Sequence, residues 1–254
     1  MTRFGYTLMC EHAGPRELVR DAVRAERAGF DFEVISDHYF PWLDSQGHSP
    51  NAWVTLGALA QATERIELMT YVTCPTMRYH PAVVAQQAAK LWDIGEQPPR
   101  IGMATSGVQS ATLAGELADF LIAVQPQAEL GAQFDAAGGA GKPRVGQVPI
   151  SWDRSPDTAV QRAHEQFRWF GGGWKVNSEL PSTAAFAGAS KFVTPDDVAE
   201  SIPCGPDVEA HVKAVRSFVD AGFTDVAVVQ IGGDSQPEFL EWAERELVPA
   251  LREI

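Results

Sequence analysis

Apolar and polar positions along the chain repeat one unit, in which an amphipathic helix leads through a glycine turn into a short apolar strand. In ELVRDAVRAERAGFDFEVIS, the apolar side chains of residues 18–25 share one helical face, Gly29 ends the helix and a strand begins at Phe32. The segments HVKAVRSFVDAGFTDVAVVQIG and ATLAGELADFLIAV repeat the unit. The pattern therefore predicts helices and strands in alternation.

Four further strands are predicted at residues 4–9, 66–72, 101–104 and 145–151, and Pro81 and Pro156 stand where first-turn prolines begin helices. This makes seven strands. They are apolar throughout rather than alternating, which favours a parallel sheet covered by helices.

Two α/β architectures compete for this pattern. A doubly wound sheet usually has a Gly-x-Gly-x-x-Gly turn after its first strand, but YTLMCEHAGPREL has none. We therefore expect a (β/α)8 barrel of the TIM type, formed by residues 1–254 as one domain. Because only seven strands are predicted where such a barrel has eight, we expect it to be incomplete.

Charge and composition exclude several classes of partner. The 33 acidic residues outnumber the 20 basic ones, and the net charge of -13 repels nucleic acid and anionic membranes. Three scattered cysteines suggest no disulfide framework, so we expect a reducing cytoplasm. Six histidines without ligand spacing lead us to expect no metal site.

The stretch VISDHYFPW leaves the second strand with candidate chemistry. Side chains just beyond the C-terminal end of a barrel strand face the active-site mouth, which places Asp37, His38 and Trp42 there. The structural alternative is that Asp37 caps a turn while His38 and the aromatic residues pack the rim. Aromatic residues at a barrel mouth also form a slot for a planar ring.

Two more loops add candidates. MTYVTCPTMRYHP is unusually polar for a strand end, which is typical either of ligand binding or of loop hydrogen bonding. After the next strand, TSGVQSA places small residues ahead of a helix whose free N–H groups could hold a phosphate. A tight turn into a helix needs the same small residues, so both interpretations stay open.

Four motifs together resemble the luciferase-like superfamily: SDHYFPW, TYVTCPTMRYHPAVVAQ, FRWFGGGWKVN and FTDVAVVQIGG. Within it, they are similar to F420-dependent oxidoreductases of the glucose-6-phosphate dehydrogenase type over nearly the whole chain. The resemblance implies a barrel that holds a deazaflavin ring at its mouth and passes a hydride to or from a substrate carbon.

The resemblance also implies site residues. His38 corresponds to the catalytic histidine and Trp42 to the tryptophan that stabilises the reacting centre. Seven further positions correspond to cofactor contacts: Asp37, Tyr71, Val72, Thr105, Ser106, Gly107 and Gln109. The resemblance also implies a non-prolyl cis peptide between Tyr71 and Val72.

The comparison with the family also locates the missing strand. In family members, the helix that begins HPAVVAQ leads to a fourth strand and a Gly-x-Gly-Glu turn, whereas here Lys90 is followed directly by Leu91. About sixty residues are absent relative to a barrel of ordinary size. The missing turn includes a glutamate that acts as an acid beside the ring.

These patterns lead to one main hypothesis and two alternatives. We expect a deazaflavin-dependent oxidoreductase, acting as a homodimer on an uncharged alcohol or carbonyl compound, because Glu200 and Glu238 stand where sugar-phosphate enzymes have basic residues. The alternatives are a non-catalytic remnant or binding protein, whose opened barrel favours self-association, and an FMN-dependent monooxygenase.

Overall fold

The computed structural model describes residues 1–75, 78–94 and 98–254, and the side chains of all of these except residues 90–94 and 174. Thr76 and Met77, in the polar loop after the third strand, therefore lie outside the description. The described chain contains one sheet of seven parallel strands: β1 (Arg3–Leu8), β2 (Phe32–Ile35), β3 (Glu67–Thr70), β4 (Gly102–Ala104), β5 (Phe120–Ala123), β6 (Arg144–Ile150) and β7 (Asp225–Gln230).

The strands are hydrogen-bonded in the order β3-β2-β1-β7-β6-β5-β4. In the register of the central pairs, Gly5 lies opposite both Phe32 of β2 and Ala227 of β7. This is the strand order of an eight-stranded barrel from which the fourth strand has been removed, so β3 and β4 are both edge strands. The predicted incomplete barrel of seven strands is confirmed.

Helices connect consecutive strands and cover the outer face of the sheet. Their bounds are α1 (Pro15–Ala28), α2 (Ala52–Ala62), α3 (Pro81–Ile94), α4 (Val108–Leu117), α5 (Ala128–Phe134), α6 (Pro156–Phe167), α7 (Trp174–Asn177), α8 (Thr183–Ala189), α9 (Pro195–Ser201), α10 (Val208–Asp220), α11 (Gln236–Trp242) and α12 (Val248–Leu251). The predicted proline starts of α3 and α6 are confirmed. No helix among the described residues is long and apolar enough to cross a membrane.

The inner face of the sheet is filled by aromatic rings that lie over glycines. A Cβ atom added to Gly5 would stand 2.5 Å from the Phe32 ring, and one added to Gly102 would stand 2.1 Å from the Phe120 ring. Both rings belong to one buried cluster that also contains Tyr71. Because this cluster joins side chains of β2, β3, β5, β6 and β7, the open sheet curls around a shared interior.

We call the gap between the edge strands β3 and β4 the open seam. Helix α3 follows β3 and spans the Lys90–Leu91 junction, so the helix is continuous where the fourth strand is missing. Side chains bridge the seam at two levels. The Arg100 guanidinium lies 3.2 Å from the Glu67 carboxylate, and the Tyr71 hydroxyl donates to the Ala123 carbonyl at 3.1 Å.

One carboxyl group in the outer layer has no hydrogen-bond partner among the described residues. Glu33 is 1% exposed, and both of its side-chain oxygens are buried and unpaired. Burial, followed by the nearby charges of Glu26 and Asp21, raises the pKa of Glu33 to about 8. The group is therefore protonated at neutral pH, because ionisation would place an uncompensated charge inside the protein.

We expect Glu33→Gln to remove a pH dependence of stability. Because the pKa of Glu33 is raised on folding, its contribution is greatest below pH 4.5 and is lost as pH rises to about 8, with a slope of up to about 1.4 kcal/mol per pH unit. Urea unfolding between pH 6.5 and 8 measures this slope. This pH range lies above the pKa of Asp21, which is raised by burial to about 6. The exposed control Glu253→Gln should keep the slope; an unchanged slope in Glu33→Gln would contradict the assignment.

Candidate active site

The candidate site lies at the C-terminal ends of the strands, where parallel strands bring their following residues to the same edge. Glu11 follows β1 and His38 follows β2, and their side chains meet, with His38 Nδ1 2.5 Å from Glu11 Oε1. Ser36 Oγ donates to the other oxygen, Glu11 Oε2, at 2.7 Å. Glu11 is fully buried, whereas the His38 side chain is 32% exposed. The His38 imidazole therefore lies at the surface of the mouth and is bonded to the buried Glu11 carboxylate.

The charge of Glu11 is maintained by its neighbours. Burial acts to raise the pKa of this carboxyl, but the His38 imidazole and the hydrogen bonds from His38 and Ser36 outweigh it and lower the pKa below its ordinary value. An ionised Glu11 can only accept hydrogen bonds, so Nδ1 of His38 bears the proton that lies between them. The neutral imidazole then presents the lone pair of Nε2, which suits it to act as a base.

An aromatic group encloses the imidazole on one side. The Trp42 ring meets His38 edge to face at 4.5 Å and stacks on Trp169 at 4.4 Å with an interplanar angle of 18°. Phe186 of α8 closes a further side of Trp42 at 4.9 Å. Trp169 lies in the short 3-10 helix after α6, within the quoted FRWFGGGWKVN segment. Trp42 is therefore fixed between the post-β2 loop and the excursion that follows α6.

Asp37 is directed away from this group and holds the loop after β3. Its carboxylate accepts from the Thr73 hydroxyl at 2.7 Å and the Tyr79 hydroxyl at 2.9 Å, and it lies 2.6 Å from the Arg78 guanidinium. Burial and the hydrogen bond to Asp37 raise the pKa of Tyr79 to about 12, so this hydroxyl keeps its proton and donates. The Asp37 carboxylate, which we expected to contact a cofactor ring, is therefore bonded to three groups of the protein itself.

The small-residue turn after β4 is open to a ligand. Ser106 and Gly107 donate their backbone N–H groups to one hydroxyl, Ser110 Oγ, each at 3.3 Å, and a Cβ atom added to Gly107 would meet nothing within 4 Å. Gln109 is exposed in the first turn of α4. Thr105 is buried and bonds the Ile122 carbonyl. Weakly bonded N–H groups at a helix start suit an anion.

Tyr71 and Val72 lie across the seam from that turn. The peptide between them is cis, as the resemblance implies. The Tyr71 hydroxyl bonds to the carbonyl of Ala123, and Thr105 bonds to that of the preceding residue, Ile122. The end of β5 therefore links the β3 and β4 sides of the mouth. Among the described residues, no group of three or more His, Cys, Asp or Glu side chains could hold a metal ion.

Sequence reasoning missed Glu11 and Trp169. Glu11 stands in the MCEHAG segment, and the signal was available: an acidic residue just after the first strand occupies the same mouth position as His38 after the second. Trp169 gave a weaker signal, because a tryptophan ahead of a glycine run is equally typical of a rim segment. Only the packing of the long excursion on the post-β2 loop brings it to Trp42.

Comparisons with known proteins find a partial family match and a shared fold. The family model for luciferase-like monooxygenases matches residues 2–96. An F420-dependent secondary alcohol dehydrogenase, solved with an F420-acetone adduct, has the same fold with a TM-score of 0.82 at 21% identity, covering 99% of both chains. The match to luciferase-like monooxygenases lies in the part of the chain that contains SDHYFPW and TCPTMRYHP, and the likeness to the dehydrogenase structure is one of fold.

Similar sequences that extend over nearly the whole chain include F420-dependent dehydrogenases. The F420-dependent glucose-6-phosphate dehydrogenase of Tsukamurella paurometabola is 25% identical over 337 aligned residues, which cover 99% of this chain and 98% of the relative. The F420-dependent hydroxymycolic acid dehydrogenase of Mycobacterium tuberculosis is 28% identical over 98% of this chain and 88% of its own length. These alignments exceed the 254 residues of this chain, in keeping with the missing strand.

We expect Asp37→Asn to loosen the loop after β3 even without any cofactor. The change leaves Arg78, whose side chain is 13% exposed, without its counter-charge, and breaking such a pair costs about 3 kcal/mol. Hydrogen exchange of residues 71–74 and 78–80 should accelerate roughly 10- to 100-fold. Thr73→Val, which removes one neutral donor, should have a smaller effect. Unchanged exchange combined with lost cofactor binding would instead assign Asp37 to the cofactor.

Proposed function

We propose that the protein is an F420-dependent oxidoreductase that transfers a hydride between the deazaflavin and an uncharged alcohol or carbonyl compound. The observation that carries this proposal is the buried Glu11 carboxylate on His38 Nδ1, which leaves Nε2 available at the mouth beside Trp42. F420-dependent dehydrogenases among the relatives support the choice of cofactor.

The residues of this chain supply the proton chemistry of such a reaction. An alcohol carbon releases a hydride as its hydroxyl proton leaves, and His38 Nε2 accepts that proton. The resulting imidazolium is stabilised by the Glu11 carboxylate at 2.5 Å, in a site where burial strengthens the attraction. Trp42 covers the imidazole and excludes water from one side. A bound deazaflavin would supply the hydride acceptor or donor.

The residues after β4 fit the phosphate-bearing part of this cofactor. The N–H groups of Ser106 and Gly107 share one hydroxyl acceptor and stand at an open turn, so a phosphate can replace that acceptor without steric conflict. Thr105 anchors the turn to β5, and the exposed Gln109 amide lies in the next turn. These observations support the cofactor contacts that the resemblance implies for this loop.

Acidic side chains line a cavity beside the post-β7 turn, and Glu11, His38 and Trp42 are not part of its lining. This cavity of about 460 Å³ between α6 and the post-β7 turn is lined by Asp157, Glu165 and Asp234. Its one arginine, Arg162, is paired with Asp153 at 2.5 Å. Carboxylates repel a phosphate, and a paired guanidinium attracts it weakly. A phosphate is therefore disfavoured at this cavity, and the acidic Glu200 and Glu238 likewise favour an uncharged alcohol or ketone over glucose 6-phosphate.

Titration of the purified protein with F420 and with FMN tests the cofactor. Saturable quenching of deazaflavin fluorescence, together with weaker FMN binding, is the expected result. Preferred FMN binding would support a monooxygenase. Binding of neither would support the non-catalytic remnant, in which the missing βα unit has abolished the site. Ser106→Pro, which deletes one turn N–H, should weaken F420 binding if the phosphate lies there.

We expect His38→Ala to lower kcat for F420-dependent alcohol oxidation by about 100-fold or more, because a general base contributes at least this much. The dissociation constant for F420 should change little, since the imidazole acts on the substrate proton. His48→Ala, an exposed histidine of the same loop, provides the matched control. Full activity in His38→Ala would place the base elsewhere.

A further inference from the structure

Gln46 is a buried residue in the post-β2 loop whose side chain fixes the backbone beside the candidate base. It is 5% exposed and ends the short 3-10 helix Asp44–Gln46. Its Oε1 atom accepts hydrogen bonds from the backbone N–H of Trp42 at 2.9 Å and of Leu43 at 3.1 Å. The side chain therefore sets the direction in which the chain leaves Trp42.

The other end of the same carboxamide ties this loop to two other elements. Gln46 Nε2 donates to the carbonyl of Gln166, at the end of α6, and to Nε2 of His12, after β1, both at 3.2 Å. A carboxamide offers two acceptor sites and two donor hydrogens, and all four are used here. Gln46 therefore links Trp42 to α6 and β1 through one side chain.

His12 completes this link only in its neutral form. It is 7% exposed, with Gln46 Nε2 3.2 Å from its Nε2 and the backbone N–H of Gly232 3.4 Å from its Nδ1. A neutral imidazole has one lone-pair nitrogen, so His12 accepts the Gln46 hydrogen bond in the tautomer whose lone pair is on Nε2. Burial lowers the pKa of His12 to about 4. A Cβ atom added to Gly233 would stand 2.1 Å from the His12 carbonyl oxygen, so the His12 backbone is also closely packed.

We propose that Gln46, supported by neutral His12, is a positioning residue that holds the Trp42 indole between Trp169 and His38. The ring is clamped on its far side by the 4.4 Å stack on Trp169, but its backbone is directed by the Gln46 carboxamide. The catalytic consequence rests on the proposed function, because a displaced indole no longer covers the base. The structural consequence does not depend on any cofactor.

Circular dichroism of the cofactor-free protein tests the structural part. Two stacked indoles produce an excitonic couplet, and the difference between wild type and Trp42→Phe isolates the Trp42–Trp169 contribution from that of the second stacked pair, Trp152–Trp242. Gln46→Met, which keeps the length but none of the hydrogen bonds, should lose the couplet. Retention of the full couplet would overturn the proposal.

Three further variants sharpen this test. Gln46→Glu keeps an acceptor for both backbone N–H groups, so it should retain most of the couplet. Ser45→Ala removes the neighbouring 3.1 Å bond to the Glu165 carbonyl but no bond to Trp42, so it should retain all of it. Gln46→Asn is one methylene too short to span both sides and should lose the couplet, which decides the test if Gln46→Met fails to fold.

Kinetics with F420 test the catalytic part. Gln46→Met and Gln46→Asn should lower kcat about tenfold or more, while KM for F420 changes less than about twofold, because misplacement of an active-site group acts on the transition state. Gln46→Glu should recover most of kcat. Loss of the couplet with unchanged kcat would overturn the catalytic role, whereas inactive wild-type protein would contradict the proposed function and leave the spectroscopic test intact.

Discussion

The packing of aromatic rings inside an incomplete sheet is the constraint on which the rest of this structure depends. A barrel without its fourth strand has two free edges, and no backbone hydrogen bond of the described residues pairs β3 with β4. Phe32 and Phe120 instead fill the interior, each lying over a glycine that leaves room for the ring. Tyr71 joins this cluster and reaches across the seam to Ala123. Burial of this shared surface keeps the open sheet curled.

The curl of the sheet brings together side chains that are distant in sequence. Glu11 and His38 follow adjacent strands, so they approach each other without help from the seam, whereas Trp169 reaches Trp42 from the other side of the barrel. The loss of one βα unit therefore leaves the side of the mouth that has the base intact. It removes instead the strand that would flank β3 and β4, beside the Thr105 turn.

Two histidines that lie near each other at the mouth, His12 and His38, have different electrostatic surroundings. His38 bonds through Nδ1 to an ionised carboxylate, whereas the ring nitrogens of the buried His12 face the N–H groups of Gln46 and Gly232, one of which the lone pair of a neutral imidazole can accept. Proximity to Glu11 alone does not decide the role of each histidine, because His12 is buried and His38 is partly exposed. The same carboxylate thus lies beside one histidine suited to accept a proton and another that stays neutral.

The two carboxylates at the strand ends show how far sequence reasoning reached. The seven strands were predictable, because apolar periodicity, glycine turns and proline starts are local signals that the tertiary structure preserves, whereas the place of the missing unit came from the resemblance to the family. The mouth position of Asp37 and His38 was also predictable, since it depends only on where β2 ends. Their partners were not: Asp37 is held by Thr73, Arg78 and Tyr79 in a loop some 36 to 42 residues away, and His38 by Glu11.

What the sequence by itself determined is the order of the elements and which residues end each strand, because both follow from the properties of neighbouring residues. Only the tertiary structure decided which of these residues bond to one another. A carboxylate can bind a ring, a guanidinium or an imidazole equally well in principle, and the choice depends on which group burial brings within 3 Å. Glu11 bonds to His38, and Asp37 bonds to the loop after β3, because the curled sheet brings those partners within bonding distance.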